Sequence, residues 1–443
     1  MMRMAVSGAA RVALTLWAVI LLASGAQAEV KIQEVVSSKG VKAWLVEDYT
    51  VPVIAIRFAF EGGSTQDPVG KEGLANLMTA MFDEGAGDLE SDAYQIKLDD
   101  AGAEMSYDAD RDRFEGGMRM LADQKGEAFE LLRLAVNQPR FDQNPLDRMR
   151  AQIIAGIVAR SRDPEYAAAV KWANALYPGH PYSRPSDGSA ESLKSIGAND
   201  LRAFHKAIFA REKLKVGVVG AIDAETLKQE LDRVFGGLPE KPSLMPIADV
   251  APVLGKQLQV AYDLPQTTLQ MAFPGVKRTD PDFFAAYLMN HILGGGAFTS
   301  RLFDEVREKR GLAYGVSSSL VTSEHSNMLA ISTATRSDRS AETLRLMRSV
   351  IAQMAQDGVT EEELTTAKKY VIGAYPINNL NSSGAIARTL VEMQMSDLGI
   401  DYMQRRDGLI NAVTREDVNA AAKKMLTTEP SVLIVGPEQK NPG

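Results

Sequence analysis

The 443-residue chain has no cysteine and only four histidines. The first absence excludes a disulfide framework, a thiolate metal site and a lipidated cysteine. The second restricts imidazole ligands to His180, His205, His291 and His325, no two of which stand four residues apart. A tetrahedral zinc site therefore has neither a thiolate nor a pair of histidines one turn apart to draw on. Base is scarce as well: 49 Lys and Arg stand against 57 Asp and Glu, an acidic balance that argues against a nucleic-acid partner. Long apolar runs are missing after the first thirty residues, so no stable membrane anchor is expected.

The N-terminus does carry an apolar run. Arg3 and Arg11 precede "VALTLWAVILLA" (Val12 to Ala23), which ends in small residues at Ala26 and Ala28. That order reads as an export signal over residues 1–28 with cleavage after Ala28. Without it the chain has 47 basic and 57 acidic residues, a net charge of −10. A periplasmic protein is the expectation. With 45% hydrophobic and 24% charged residues, the remainder is long enough for two domains with sizeable cores.

The chain repeats itself. "VPVIAIRFAFEG" (Val51 to Gly62) matches "LPQTTLQMAFPG" (Leu264 to Gly275), with Pro52 and Phe60 each 213 residues before Pro265 and Phe273. "KVGVVG" and "SVLIVG" close the two copies, Gly220 lying 216 residues before Gly436. Pro239, Pro242, Pro246 and Pro252 punctuate the join, where missing N–H donors discourage regular structure. The predicted organisation is an α+β tandem duplication, each copy a mainly antiparallel sheet with packed helices. One domain spans 29–238, a proline-rich linker 239–256 and a second domain 257–443.

In "GLANLMTAMFDEG" (Gly73 to Gly85), Leu74, Leu77, Met78, Met81 and Phe82 recur at helical spacing and predict a buried stripe. Asn76, Thr79 and Ala80 share a second face. A later helix, "RMRAQIIAGIVARS" (Arg148 to Ser161), carries Gly156. His180 in "GHPY" reads as a loop hydrogen-bonding group, and His291, at helical spacing from Tyr287 and Leu288, as a core-facing imidazole. In "TSRLFDEVREKRGLAYGVSS" a helix is predicted through Arg310, with Gly311 at its C-terminal cap and a strand from about Leu312. From pattern alone Arg307 is a solvated charge on the last turn and Tyr314 a half-buried strand aromatic. Gly294, Gly295 and Gly296 read as a flexible helix break; a phosphate loop is weak, since the Gly-Lys-Ser/Thr ending is missing.

Taken together, the Gly-Leu-Ala-x-Leu-x-x-x-Met-x-Phe order, the duplication, "HPYSRPSDGSAESL" and "GGGAFTSRLFDEVREKRGLAYGVSS" resemble the pitrilysin/insulinase family of zinc peptidases. The resemblance covers nearly all of the chain after residue 28. It implies that H-x-x-E-H, the zinc-binding helix of that family, is replaced here by Asn76, Thr79 and Ala80, and a further glutamate ligand by Gly156. It also implies that Arg307 and Tyr314 act on substrate at the zinc of an opposing half, and that Gly294, Gly295 and Gly296 lie beside the peptide channel. In two-chain members one chain holds the metal and the other supplies the arginine and tyrosine, and this sequence resembles the second kind. The expectations are a chain that binds no zinc or other cofactor itself, a homologous H-x-x-E-H partner that does, and a peptide substrate. The alternative is a catalytically inactive scaffold or peptide-binding protein of the same fold.

Overall fold

The computed structural model describes residues 30–438; the expected export signal lies outside them. Two sheets dominate. The first has the strand order Gln33–Val36, Lys42–Glu47, Lys215–Gly220, Val53–Glu61, Arg113–Leu121, Glu104–Ala109. The second runs Gln257–Ala261, Ser431–Gly436, Gln266–Pro274, Asn327–Arg336, Ala313–Thr322. Read in this direction the two orders coincide, apart from the extra edge strand of the first. In both, one pair is parallel, Lys42–Glu47 with Lys215–Gly220 and Gln257–Ala261 with Ser431–Gly436, and all other pairs are antiparallel. The repeat found in the sequence reappears residue for residue: the central strands Val53–Glu61 and Gln266–Pro274 have nine residues each, 213 apart.

Each sheet packs one face on helices of its own half. In the first core, Phe58 and Phe60 from the central strand meet Leu77, Met78, Phe82, Phe209 and Phe235. In the second, Leu269, Met271 and Phe273 lie against Leu288, Leu302, Met347 and Met425. The opposite faces are covered by exchange. Helix Ser383–Met395 of the second half lays Ala387, Leu390 and Met393 on Trp44, Val46, Ala55 and Val219 of the first sheet. It approaches so closely that a Cβ at Gly217 would stand 2.5 Å from the Ala387 carbonyl oxygen. Gln394 Nε2 donates to the Val216 carbonyl at 2.9 Å, satisfying a buried amide. In return, helix Pro164–Leu176 sets Ala168, Trp172 and Leu176 on Val260, Ala272, Leu433 and Val435 of the second sheet.

No helix or strand interrupts residues 239–256. The segment is nonetheless fastened at intervals: Met245 N–H donates to Gln66 Oε1, Val250 N–H to the His325 carbonyl and Val253 N–H to the Leu176 carbonyl. Among the described residues no helix is long and apolar enough to cross a membrane.

Candidate functional site

The expected buried stripe is present: Leu74, Leu77, Met78, Met81 and Phe82 are all buried. The helix itself is short, Leu74–Thr79, and Met81 and Phe82 follow in a turn that keeps them in the core. Its start is fixed by Gly73, whose φ of +91° is left-handed and whose Cβ would meet the Asp187 carbonyl oxygen at 2.5 Å. The buried Asp67 carboxylate accepts from the N–H groups of Gly73 and Ala75 at 2.8 and 2.9 Å, capping the first turn.

Asn76, Thr79 and Ala80 form the half-exposed second face of this helix. Helix Gln143–Arg160 packs against it and carries Gly156, also half-exposed, where a Cβ would meet only the Arg160 guanidinium. The structure therefore places the four positions on two adjoining helices, but their side chains do not fit a metal. The Thr79 hydroxyl donates to the Asn76 carbonyl at 2.7 Å, while Ala80 and Gly156 offer no ligand atom. Zinc takes thiolate, imidazole or carboxylate ligands, and among the described residues no three or more His, Asp or Glu converge on one point.

The histidines have other tasks. His180 accepts from the Tyr182 N–H through Nδ1 and meets the Ala248 carbonyl through Nε2, as expected of a loop hydrogen-bonding group. His291 is buried and stacks on Tyr370 with ring centroids 5.0 Å apart. His205 lies against Phe82, Phe141 and Phe209 of the first core, with Nε2 2.9 Å from the Val136 carbonyl oxygen. Burial lowers the pKa of both His205 and His291.

The second candidate region departs from its prediction in three ways. First, the helix predicted through Arg310 is Arg301–Phe303 followed by a wider π turn, Asp304–Glu308. Arg307 sits on that turn. Gly311 closes it with φ +59°, as its capping role requires, and Arg310 donates back to the Glu305 carbonyl at 3.1 Å. Second, Gly294, Gly295 and Gly296 are no flexible break. The α-helix Phe283–Asn290 widens into a π turn over His291–Gly295, and Gly294 is buried against strand Ala313–Thr322. A Cβ there would stand 2.7 Å from Ser318 Oγ, so the missing side chain serves close helix-to-strand packing.

Third, Tyr314 is not half-buried: it is 87% exposed. The cause is a bulge. Between Ala313 and Val316 the strand takes three steps while its partner takes two, from Thr335 to Thr333. The extra residue turns both Tyr314 and Gly315 outward. Thr335 and Thr333 pin the irregular stretch by donating to the carbonyls of Leu312 and Gly315 at 2.6 and 2.7 Å. The equivalent strand of the first sheet, Glu104–Ala109, pairs in regular register.

π turn and bulge together bring Arg307 over Tyr314, with the guanidinium carbon 4.8 Å from the ring centroid. Phe303 and Phe298 lie at 4.7 and 5.7 Å. Three rings thus surround the cation. Its edges are unspent. Among the described residues the only polar partner of the guanidinium is Glu308, at 3.7 Å. The neighbouring arginines are fully engaged: Arg301 forks onto Glu363 at 2.6 and 2.7 Å, and Arg310 pairs with Glu305. Phe298 stands inside the glycine-rich motif, two residues after Gly296, and an aromatic so close to a glycine run is the one signal for it that the sequence offers.

Residues 43–188 match the family described as insulinase (peptidase family M16), and residues 195–371 match the peptidase M16 inactive domain. An uncharacterized zinc protease of Mycobacterium tuberculosis is 30% identical over 320 residues, 70% of this chain and 71% of that protein. The chain belongs to the M16 peptidase family. A solved M16 inactive domain from Pseudomonas fluorescens superposes with a TM-score of 0.85 at 31% identity, covering 92% of this chain and 98% of that one. The non-peptidase homolog YmxG of Helicobacter pylori is 24% identical over 398 residues, 89% of this chain and 91% of that protein. M16 relatives thus carry both peptidase and non-peptidase names, and this chain is an inactive M16 member.

Proposed function

We propose that this M16 protein is the non-zinc-binding subunit of a periplasmic heterodimeric zinc peptidase. It presents Arg307 and Tyr314 to a peptide held at the metal of a homologous, H-x-x-E-H-bearing partner. The observation that carries the reading is the state of Arg307: a permanent cation oriented by three aromatic faces, with its N–H edges free of hydrogen bonds to the chain. Aromatic stacking fixes a guanidinium without consuming its donors, which suits it to grip a carbonyl or carboxylate oxygen of a substrate. Beside it the exposed Tyr314 hydroxyl supplies a neutral donor. A cation and a phenol held together in this way are suited to bind the scissile peptide and to stabilise negative charge developing on its carbonyl oxygen.

The metal in this scheme belongs to the partner, since the four positions of this chain offer no ligand set. Export to the periplasm rests on the apolar N-terminal run and its Ala26 and Ala28 ending. Co-expression with an H-x-x-E-H homologue tests the assignment. The expected result is co-elution in size-exclusion chromatography at micromolar concentration, with peptidase activity that neither chain shows alone. Independent migration favours the scaffold alternative, and zinc that stays with this chain through dialysis, together with chelator-sensitive activity, contradicts the proposal.

A further inference from the structure

We infer that Phe298 walls a subsite that takes an apolar side chain, best an aromatic one, of the peptide next to the bond being cut. The inference rests on the function proposed above and adds a substrate preference to it. Phe298 is 72% exposed, a large apolar ring left uncovered. A single exposed aromatic on a flexible loop would mean little, but this one is held by a built turn. Ala297, just before it, has φ +45°, a left-handed conformation that a residue with a Cβ rarely adopts. Four hydrogen bonds hold the turn: the Thr299 N–H and hydroxyl donate to the Gly296 carbonyl at 3.1 and 3.0 Å, and the Ser300 N–H and hydroxyl donate to the Ala297 carbonyl at 3.2 and 2.9 Å. The ring edge then rests on Phe303, centroids 5.0 Å apart and planes at 84°.

The location gives the strain and exposure a use. Phe298 and Tyr314 flank the same guanidinium, at 5.7 and 4.8 Å. A peptide whose backbone oxygen meets Arg307 must run its neighbouring side chain over one of these rings. Tyr314 carries a hydroxyl; Phe298 has no polar atom, so it recognises by covering apolar surface and by ring-to-ring contact. A cationic side chain there would meet the Arg307 charge and be disfavoured. Because the ring is exposed, its removal leaves the core intact.

The test uses the reconstituted pair and peptides that differ only at the residue flanking the cleaved bond, carrying Phe, Leu, Ala or Lys. The wild-type pair is expected to favour Phe and Leu over Ala by about 10- to 100-fold in kcat/KM, the range one apolar contact confers. Phe298→Ala should lower kcat/KM for the Phe and Leu peptides about 10- to 100-fold more than for the Ala peptide, abolishing the preference, and Phe298→Leu should retain most of it. Equal loss on every peptide would show that Phe298 only steadies Arg307, and would overturn the subsite. Arg307→Ala without effect on any peptide would instead contradict the proposed function. If no zinc-bearing partner associates, the same peptides are titrated onto the isolated chain by fluorescence anisotropy. Tighter binding of the Phe peptide, lost in Phe298→Ala, supports the subsite; equal affinity for the Phe and Ala peptides overturns it.

Discussion

The face formed by Asn76, Thr79, Ala80 and Gly156 and the face formed by Arg307 and Tyr314 belong to two copies of one architecture, yet their polar groups are used in opposite ways. On the first, the Thr79 hydroxyl is turned inward onto the helix, donating to the Asn76 carbonyl, and two of the four positions have no functional group. On the second, a π turn and a bulge, each at odds with regular structure, bring a half-buried cation beside an exposed phenol and leave Glu308 as the one polar partner of the guanidinium among the described residues. Regular hydrogen bonding and burial account for the first face. They do not account for the second, where irregular backbone is maintained by the Thr333 and Thr335 bonds and by aromatic stacking on Arg307. Irregularity of this kind is concentrated where side chains must be re-aimed.

Substitutions can break this contrast, the strongest in the first half. Phe82 is fully buried and stacks on Tyr107 and Phe209 at 4.4 and 5.4 Å. Phe82→Ala is expected to cost about 3–5 kcal/mol of unfolding free energy by denaturant titration, the role of a core helix without chemistry. Arg301→Ala, which strips the forked pair from Glu363, should cost roughly 1–3 kcal/mol in the same assay, since it leaves a half-buried carboxylate unpaired. Acid should act on both halves alike. Burial lowers the pKa of His205 and His291 below 6.5, so the unfolded chain takes up protons that the folded chain resists. The histidine contribution to stability is then full above about pH 6.5 and declines as pH falls below it, by up to about 1.4 kcal/mol per pH unit for each histidine. Burial raises the Asp67 carboxyl to about 7, which adds a slope of opposite sign in the same window. The histidine share is therefore read as the difference between wild type and His205→Gln in thermal unfolding between pH 7 and pH 5, where the variant should lose less stability toward acid. Asn76→Ala and Thr79→Ala should do least, within about 0.5 kcal/mol in stability and with no change in the activity of the assembled pair. A large catalytic loss from either would break the contrast, because it would give the first face a chemical task.

Legibility followed the range of the forces involved. The central strands Val53–Glu61 and Gln266–Pro274 and the stripe from Leu74 to Phe82 could be read because burial periodicity is local. Gly311 could be read because a left-handed cap needs a glycine there. The exposure of Tyr314 could not: a bulge is a property of pairing between Ala313–Val316 and Thr333–Thr335, and the aromatic residue itself signals burial. The role of Gly294 depended on the approach of Ser318, 24 residues away, and the exchange of helices Pro164–Leu176 and Ser383–Met395 on contacts between halves. Of the candidate site, Arg307 and Tyr314 were proposed through family resemblance; the aromatic clasp on Arg307 and the presence of Phe298 in it were not legible.

The most direct test of the central claim is steady-state kinetics on the assembled pair, with the zinc content of each preparation measured alongside. Arg307→Ala and Tyr314→Phe are each expected to lower kcat by about 10²- to 10³-fold, the loss typical of one donor in a preorganised oxyanion site, while assembly and the partner's zinc stay at wild-type levels. A loss confined to KM for Tyr314→Phe would assign that hydroxyl to substrate binding alone. Unchanged kcat/KM in both variants would contradict the account: the free guanidinium would be an ordinary surface charge, and the subunit would enclose substrate without touching the chemistry.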